Sequence, residues 1–111
     1  MINLFKTNKE FKELNGDEFK EQIKQKEGVL IDVRTPAEFE SGHLPHAKNI
    51  DLTDSDFQKR IRDFSKDQRL LLYCRTGSRS AVAAKLLTRK GYTDVAHLKN
   101  GIMSWDGPVV S

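Results

Sequence analysis

The chain has 111 residues, of which 37% are hydrophobic, and a formal net charge of +3. This length predicts a single domain that buries a core without disulfide bonds or a metal ion. A single cysteine excludes an internal disulfide, a CxxC redox pair and a cysteine-rich zinc site. The cations are spread along the chain rather than gathered in one block, so we expect no nucleic-acid partner.

The first ten residues are mostly polar. They contain neither the apolar core nor the small-residue cleavage site of a signal peptide. No stretch approaches the roughly 18 apolar residues that span a bilayer, so we expect no membrane partner. A lone thiol suits a reducing compartment. We therefore expect a cytoplasmic protein in which residues 1–9 form an N-terminal arm and residues 10–111 form one domain.

The first elements of the domain are a strand and a helix. Residues 11–14 alternate in polarity like a short edge strand. Asn15 or Asp17 can cap a helix that runs to about Lys26, with Gly28 expected to end it.

Residues 29–33 are a continuous apolar run interrupted by Asp32, the pattern of a strand covered on both faces. Buried carboxylates are rarely unpaired, so we expect Asp32 to tether loop amides or an arginine. Residues 35–38 form a capping box with proline at the first helical position, which predicts a short helix to about Ser41. Arg34 and Glu38 are expected to form a local ion pair.

The second half of the chain continues the alternation of strands and helices. The expected elements are a turn-rich loop at 42–47, a strand at 48–52, an amphipathic helix containing Phe57, Ile61 and Phe64, a strand from Leu70, a helix to Lys90 stopped by Gly91, a strand at 95–98 and a helical turn at 101–105. Such alternation implies crossover connections and a parallel sheet with helices on both faces. Ligands of such sheets bind beyond the carboxyl ends of the strands.

Cys74 stands at that end of its strand. Ser80 is expected to be the N-cap of the helix that follows. Loop amides and a helix N-terminus gather positive potential there, and such a setting lowers a cysteine pKa from about 8.5 into roughly the 3.5–7.5 range. We therefore expect an anionic sulfur that is reachable from an opening in the surface.

Four motifs in this order resemble the rhodanese-like (thiosulfate sulfurtransferase-like) domain family in its single-domain form. They are Ile31-Asp32-Val33-Arg34 with Glu38-Phe39, Gly42-His43-Leu44-Pro45 followed by Ala47 and Asn49-Ile50, Tyr73-Cys74-Arg75-Thr76-Gly77-Ser78-Arg79-Ser80, and Asn100-Gly101 with Trp105. His46 departs from the pattern, since many relatives have glycine in that turn.

The resemblance implies an α/β, three-layer fold with a central, mostly parallel sheet of about five strands and helices on both faces. It also implies that Cys74 is the catalytic residue. Its thiolate takes a sulfane sulfur from a donor such as thiosulfate, becomes a persulfide and passes that sulfur to a thiol or cyanide.

The loop after Cys74 is expected to bind the substrate. Its backbone N–H groups would converge as a nest on the anionic sulfur. Arg75 would meet the donor's oxyanion at the entrance, whereas Arg79 is equally expected to contact the donor or to pair with a surface carboxylate. The predicted substrate-binding residues are Arg75, Thr76, Gly77, Ser78, Arg79 and Ser80.

Other residues are expected to support the site or to stand apart from it. Asp32 and Arg34 are predicted to shape its rim. His43 and His46 lack a third ligand at useful spacing, so we read them as turn histidines and expect no metal and no cofactor. Without a second cysteine, the partners are a small anionic sulfur donor and an external thiol acceptor, which is a small molecule or a protein.

Three alternatives stay open. In the first, Cys74 is a buried structural cysteine. In the second, the chain is a sulfur carrier of modest activity or a binding module that keeps the fold. In the third, the chain is a cysteine-dependent phosphatase or arsenate reductase. The last two enzymes use a C-x5-R loop, whereas four residues separate Cys74 from Arg79 here. The shorter loop favours a sulfur atom over a tetrahedral oxyanion.

Overall fold

The computed structural model describes residues 11–111. The N-terminal arm expected at residues 1–9 lies outside this range, and its boundary with the domain stays a prediction. The elements in chain order are β1 (Lys12–Leu14), α1 (Gly16–Lys24), β2 (Gly28–Asp32), α2 (Pro36–Glu40), β3 (Lys48–Asn49), α3 (Phe57–Ile61), β4 (Arg69–Tyr73), α4 (Ser78–Arg89), β5 (Val95–Leu98) and a 3-10 helix (Ile102–Ser104).

The strands form one five-stranded sheet in the order β1-β5-β4-β2-β3, and every neighbouring pair is parallel. The predicted α/β architecture with a parallel sheet is confirmed. No helix of the described residues is long and apolar enough to cross a membrane.

Each face of the sheet carries its own apolar core. Leu70 and Leu72 point to the face covered by α3 and α4, and Leu71 and Tyr73 point to the face covered by Phe19 of α1. These four residues of β4 are at most 1% exposed. Because side chains alternate across a strand, an unbroken apolar run is what a doubly covered central strand requires.

The starts of α1 and α2 follow the predicted caps. Asn15 caps α1 through reciprocal hydrogen bonds with Glu18, and Thr35 and Glu38 form the predicted capping box of α2. The expectation that Gly28 ends α1 is wrong. The helix stops at Lys24, Lys26 takes the left-handed backbone with φ of 57°, and Gly28 is already the first residue of β2.

The edge strand β3 is shorter than the predicted strand at 48–52. Beyond Asn49 the chain still runs beside β2, with Ile50 donating to the Asp32 carbonyl and Leu52 to the Val33 carbonyl. These two isolated hydrogen bonds do not extend the regular β-ladder between β2 and β3.

The register of the central strands places the predicted site residues together at the carboxyl ends of β2 and β4. Asp32, the last residue of β2, lies opposite Tyr73, the last residue of β4. The Tyr73 hydroxyl accepts a hydrogen bond of 3.0 Å from the Leu44 amide, which ties the loop after α2 to the same edge. Asp32, Arg34 and Cys74 therefore meet where ligands of parallel sheets bind.

Candidate functional site

The sulfur of Cys74 lies against the first turn of α4. It accepts hydrogen bonds from the Gly77 amide at 3.1 Å and from the Ser80 amide at 3.3 Å, and its Sγ is 3.6 Å from the Ser80 hydroxyl. The first amides of a helix have no hydrogen-bond acceptor within the helix. The Cys74 sulfur is the acceptor for the Ser80 amide.

The prediction that Ser80 is the N-cap is wrong. The helix begins two residues earlier at Ser78, with Gly77 in the N-cap position and no side-chain cap. The physical reason is that Cys74 Sγ accepts from the Ser80 amide, the bond that a capping side chain ordinarily makes. Within the described residues, two backbone amides of the predicted nest, those of Gly77 and Ser80, donate hydrogen bonds to the Cys74 sulfur.

The hydrogen bonds decide the acidity of the thiol. Burial raises the pKa of Cys74, but the Ser80 hydroxyl and the amides of Ser80, Gly77 and Thr76 favour the anion and together lower the pKa below the ordinary value. A thiolate is the nucleophilic form of cysteine. The loop therefore favours the reactive form.

Two glycines let a second loop support the cysteine loop from behind. Gly77 has φ of +105°, and a Cβ there would lie 2.0 Å from the Lys99 carbonyl oxygen. A Cβ on Gly101 would lie 2.1 Å from the Arg75 carbonyl oxygen. The amide of Ile102 also donates to the Cys74 carbonyl at 2.9 Å. Only glycine permits this approach of the two backbones.

The expectation of an open sulfur is not met in this conformation. Cys74 is 0% exposed, and Gly77 and Ser80 beside it are also buried. The rim of the loop is solvent-accessible, since Arg75, Thr76 and Ser78 are exposed. A reagent therefore reaches the sulfur only after loop groups move.

Arg79 has a carboxylate partner. Its two terminal nitrogens donate to the two oxygens of Glu38 at 2.8 and 2.9 Å. The hydrogen bonds from Arg79 lower the pKa of Glu38 to about 2, against a smaller raising effect of burial. A contact between Arg79 and a substrate stays a prediction.

The predicted Arg34–Glu38 pair is wrong, because Arg34 pairs with Asp32 instead. Asp32 is 0% exposed, and the Arg34 guanidinium donates to its carboxylate from Nε at 3.0 and 3.1 Å and from Nη2 at 2.7 Å. Burial lowers the pKa of Arg34, but the hydrogen bonds and charge of Asp32 outweigh this and raise it.

The Asp32–Arg34 ion pair connects the end of β2 to the loop after α2 and to β3 through further hydrogen bonds. Arg34 Nη2 also donates to the Gly42 carbonyl at 2.6 Å, and the Asn49 side chain donates to the carbonyls of Asp32 and Arg34. The Val33 amide donates to the Tyr73 carbonyl at 3.0 Å, next to Cys74. The pair thus lies beside the cysteine loop, and its role in supporting the site stays a prediction.

The sequence pattern did not single out His97 on β5. It is 1% exposed, its Nδ1 is 2.8 Å from the Ser80 hydroxyl, and its Nε2 is 3.2 Å from a carboxylate oxygen of Glu13 on β1. The available signal was a polar residue inside a short apolar strand, the same signal that marked Asp32.

The other two histidines lie in the turn after α2. His43 stacks on Phe39 with ring centroids 3.7 Å apart, and its Nδ1 is 2.8 Å from the Phe39 carbonyl oxygen. His46 is exposed, with φ of 69°. Across residues 11–111 no group of three or more His, Cys, Asp or Glu side chains could hold a metal ion.

Known proteins resemble this chain in sequence and in fold. The family model described as Rhodanese-like domain matches residues 15–107. The uncharacterized protein YqhL of Bacillus subtilis is 38% identical over 98 residues, covering 88% of this chain and 75% of its own. A sulfurtransferase of Allochromatium vinosum is 34% identical over 94 residues, covering 84% of this chain and 86% of its own.

A solved structure gives the same result for the fold. The rhodanese-related protein of Thermoplasma volcanium superposes with a TM-score of 0.77 at 28% identity, covering 89% of this chain and 97% of that one. The fold implied by the sequence motifs is confirmed.

We expect Asp32→Asn to destabilise the protein by about 3–5 kcal/mol, because the variant leaves the buried Arg34 charge uncompensated. The matched control is Asp94→Asn, which breaks an ion pair with Arg69 whose side chains are 37% and 26% exposed. The control should lose less than about 1 kcal/mol. Urea unfolding at pH 7 measures both, and equal losses would contradict a stabilising role for the buried pair.

The Arg79–Glu38 pair predicts a pH-dependent stability. The folded pKa of Glu38, about 2, lies below its ordinary value of 4.5, so its contribution is full above pH 4.5 and is lost as the pH falls through 2. Solvent screening of the partly exposed pair limits the contribution to about 1 kcal/mol.

The variant that isolates this contribution is Glu38→Gln, since glutamine can still serve in the capping box. The stability difference between wild type and variant should shrink as the pH falls from 6 to 2 in urea titrations. The exposed Glu40→Gln on the same helix is the control. A Glu38→Gln difference that stays constant over this range would argue against the pair.

Proposed function

The chain belongs to the rhodanese-like domain family, and on this basis we propose that it is a sulfurtransferase. In this proposal, Cys74 takes a sulfane sulfur from thiosulfate or a persulfide and passes it to a thiol or cyanide. The observation that carries the proposal is the position of the Cys74 sulfur, which receives two amide hydrogen bonds at the N-terminus of α4. These bonds stabilise the anion that the reaction needs.

The first step is an attack of the Cys74 thiolate on the outer sulfur of the donor. With thiosulfate, a sulfur–sulfur bond forms on Cys74, the sulfur–sulfur bond of the donor breaks, and sulfite leaves with the electron pair. The product is a persulfide on Cys74, which is itself an anion. Because this charge lies on the outer sulfur, it is stabilised by amides of residues 75–80 that reach beyond Cys74 Sγ.

The second step returns the enzyme to its starting form. A thiolate or cyanide attacks the outer sulfur of the persulfide, and the Cys74 thiolate leaves with the electron pair. The acceptor comes from outside, because the chain has no second cysteine. A reducing, cytoplasmic setting suits such chemistry, since it keeps the single thiol free.

Access to the sulfur requires a change in the loop. Cys74 is fully buried, whereas Arg75, Thr76 and Ser78 are exposed around it. We place the donor at these exposed residues before the loop opens. There the Arg75 side chain attracts its oxyanion.

The pairing of Arg79 disfavours phosphoryl or arsenate chemistry. Those reactions need an arginine aimed at the oxyanion above the cysteine, and Arg79 makes a bidentate contact with Glu38 instead. A sulfur carrier that forms the same persulfide but turns over slowly is the second candidate. The burial of Cys74 favours it over an open, fast site.

We expect incubation with thiosulfate to add one sulfur atom to the protein and cyanide to remove it as thiocyanate. Mass spectrometry of the intact protein should show this adduct in the wild type and not in Cys74→Ser. If no adduct forms with thiosulfate or with glutathione persulfide while an aryl phosphate or arsenate is turned over, the sulfurtransferase proposal is wrong.

Arg75 should lower the KM for an anionic donor. Arg75→Ala removes a charge-assisted contact, so we expect KM for thiosulfate to rise roughly threefold to tenfold with little change in kcat. The control for net charge is Lys85→Ala, which removes an exposed cation that lies on α4 rather than on the cysteine loop. Equal KM values for the two variants would exclude a specific role for Arg75.

A further inference from the structure

Four side chains connect the Cys74 sulfur to β1 through the interior of the domain. Cys74 Sγ is 3.6 Å from Ser80 Oγ, Ser80 Oγ is 2.8 Å from His97 Nδ1, and His97 Nε2 is 3.2 Å from Glu13 Oε2. Cys74, Ser80 and His97 are at most 1% exposed. A buried imidazole is thus one hydroxyl away from the thiol.

The hydroxyl of Ser80 carries a single proton, and this restricts the arrangement. While Cys74 is a thiol, its S–H donates to Ser80 Oγ and the Ser80 hydroxyl donates to His97 Nδ1. Once Cys74 is a thiolate, the Ser80 hydroxyl can turn to donate to the sulfur or to the Gly77 carbonyl oxygen 3.2 Å away, and in either case His97 Nδ1 is placed to donate to Ser80 Oγ.

The other ring nitrogen of His97 faces Glu13. An ionised carboxylate accepts hydrogen bonds and cannot donate them, so His97 Nε2 keeps its hydrogen in both states. With hydrogens on both nitrogens, the ring that accompanies the thiolate is an imidazolium. This arrangement allows ionisation of Cys74 and protonation of His97 to occur together.

We propose that His97 receives the proton of the Cys74 thiol through the Ser80 hydroxyl, and that Glu13 stabilises the resulting imidazolium. The S–H bond of Cys74 and the O–H bond of Ser80 break, while an O–H bond on Ser80 and an N–H bond on His97 form. The sulfur gains a negative charge and the ring a positive one, so the step balances without an external base. His97 is a positioning residue, since it acts on the sulfur through Ser80.

The surroundings of His97 suit this role. From β1 it is faced by Glu13, its register partner, and from α4 by Ser80 with Cys74 behind it. Its register partner on β4 is the apolar Leu72, and the ring of Phe11 packs edge-on at 5.7 Å. Burial of the ring strengthens its attraction to the Cys74 thiolate beyond Ser80, and the partly exposed Glu13 carboxylate contacts its other nitrogen.

The inference rests on the proposed function only in taking the Cys74 thiolate as the reacting group. Its test is therefore the ionisation of Cys74, followed by thiolate absorbance and by the rate of alkylation with iodoacetamide from pH 4 to pH 10. The variant is His97→Asn, whose amide can still donate to Ser80 but cannot take up a proton.

We expect His97→Asn to raise the pKa of Cys74 by about one unit or more, as the loss of a nearby positive charge does. His46→Asn is the matched control, because His46 is exposed in a turn and asparagine tolerates its left-handed backbone. The control should titrate like the wild type. A His97→Asn protein that also titrates like the wild type would overturn the proposal, since its retained hydrogen bond would then suffice.

A second measurement does not depend on the folding of a His97 variant. Nitrogen-15 NMR of the imidazole rings should show His97 as imidazolium in the wild type and as a neutral ring in Cys74→Ser, at a pH where wild-type Cys74 is ionised. The same charge state in both proteins would contradict the proposal. If the thiolate–imidazolium pair is present but thiosulfate adds no sulfur to Cys74, the proposed function fails and the proton relay stands.

Discussion

The hydrogen bonds from the Gly77 and Ser80 amides to the Cys74 sulfur are the contact on which the rest of the site depends. They make the sulfur the cap of α4, so the start of the helix and the position of the nucleophile are one structural feature. A helix N-terminus carries partial positive charge, and it is best capped by an acceptor with negative charge. The folded state therefore favours the ionised thiol.

The charged side chains around the loop are divided between two separate pairs. Arg34 and Asp32 form a buried pair that ties the end of β2 to the loop after α2, and Arg79 and Glu38 form a half-exposed pair that ties α4 to α2. Both arginines are therefore paired with carboxylates. Within residues 11–111, Arg75 is the arginine of the loop that has no such pair, and it is exposed on the rim.

The predictions from the sequence succeeded where the signal was local. The apolar run of β4 and the capping box at Thr35 are short-range patterns, and they predicted a strand and a helix start that the structure contains. They failed at Ser80, because the competing cap was a sulfur atom six residues earlier in the chain. A propensity for serine at N-caps cannot register that competitor.

The sequence by itself determined the parallel α/β architecture and the place of the single thiol at the end of a central strand, because hydrophobic periodicity and the alternation of strands and helices along the chain follow from near neighbours. Only the tertiary structure decided which carboxylate each arginine takes, that the sulfur is closed off, and that His97 lies behind Ser80. Glu38 and Arg79 are 41 positions apart, and Glu13 and His97 are 84 apart. Such residues meet only when the sheet order brings their strands and helices together, and no local pattern encodes that order.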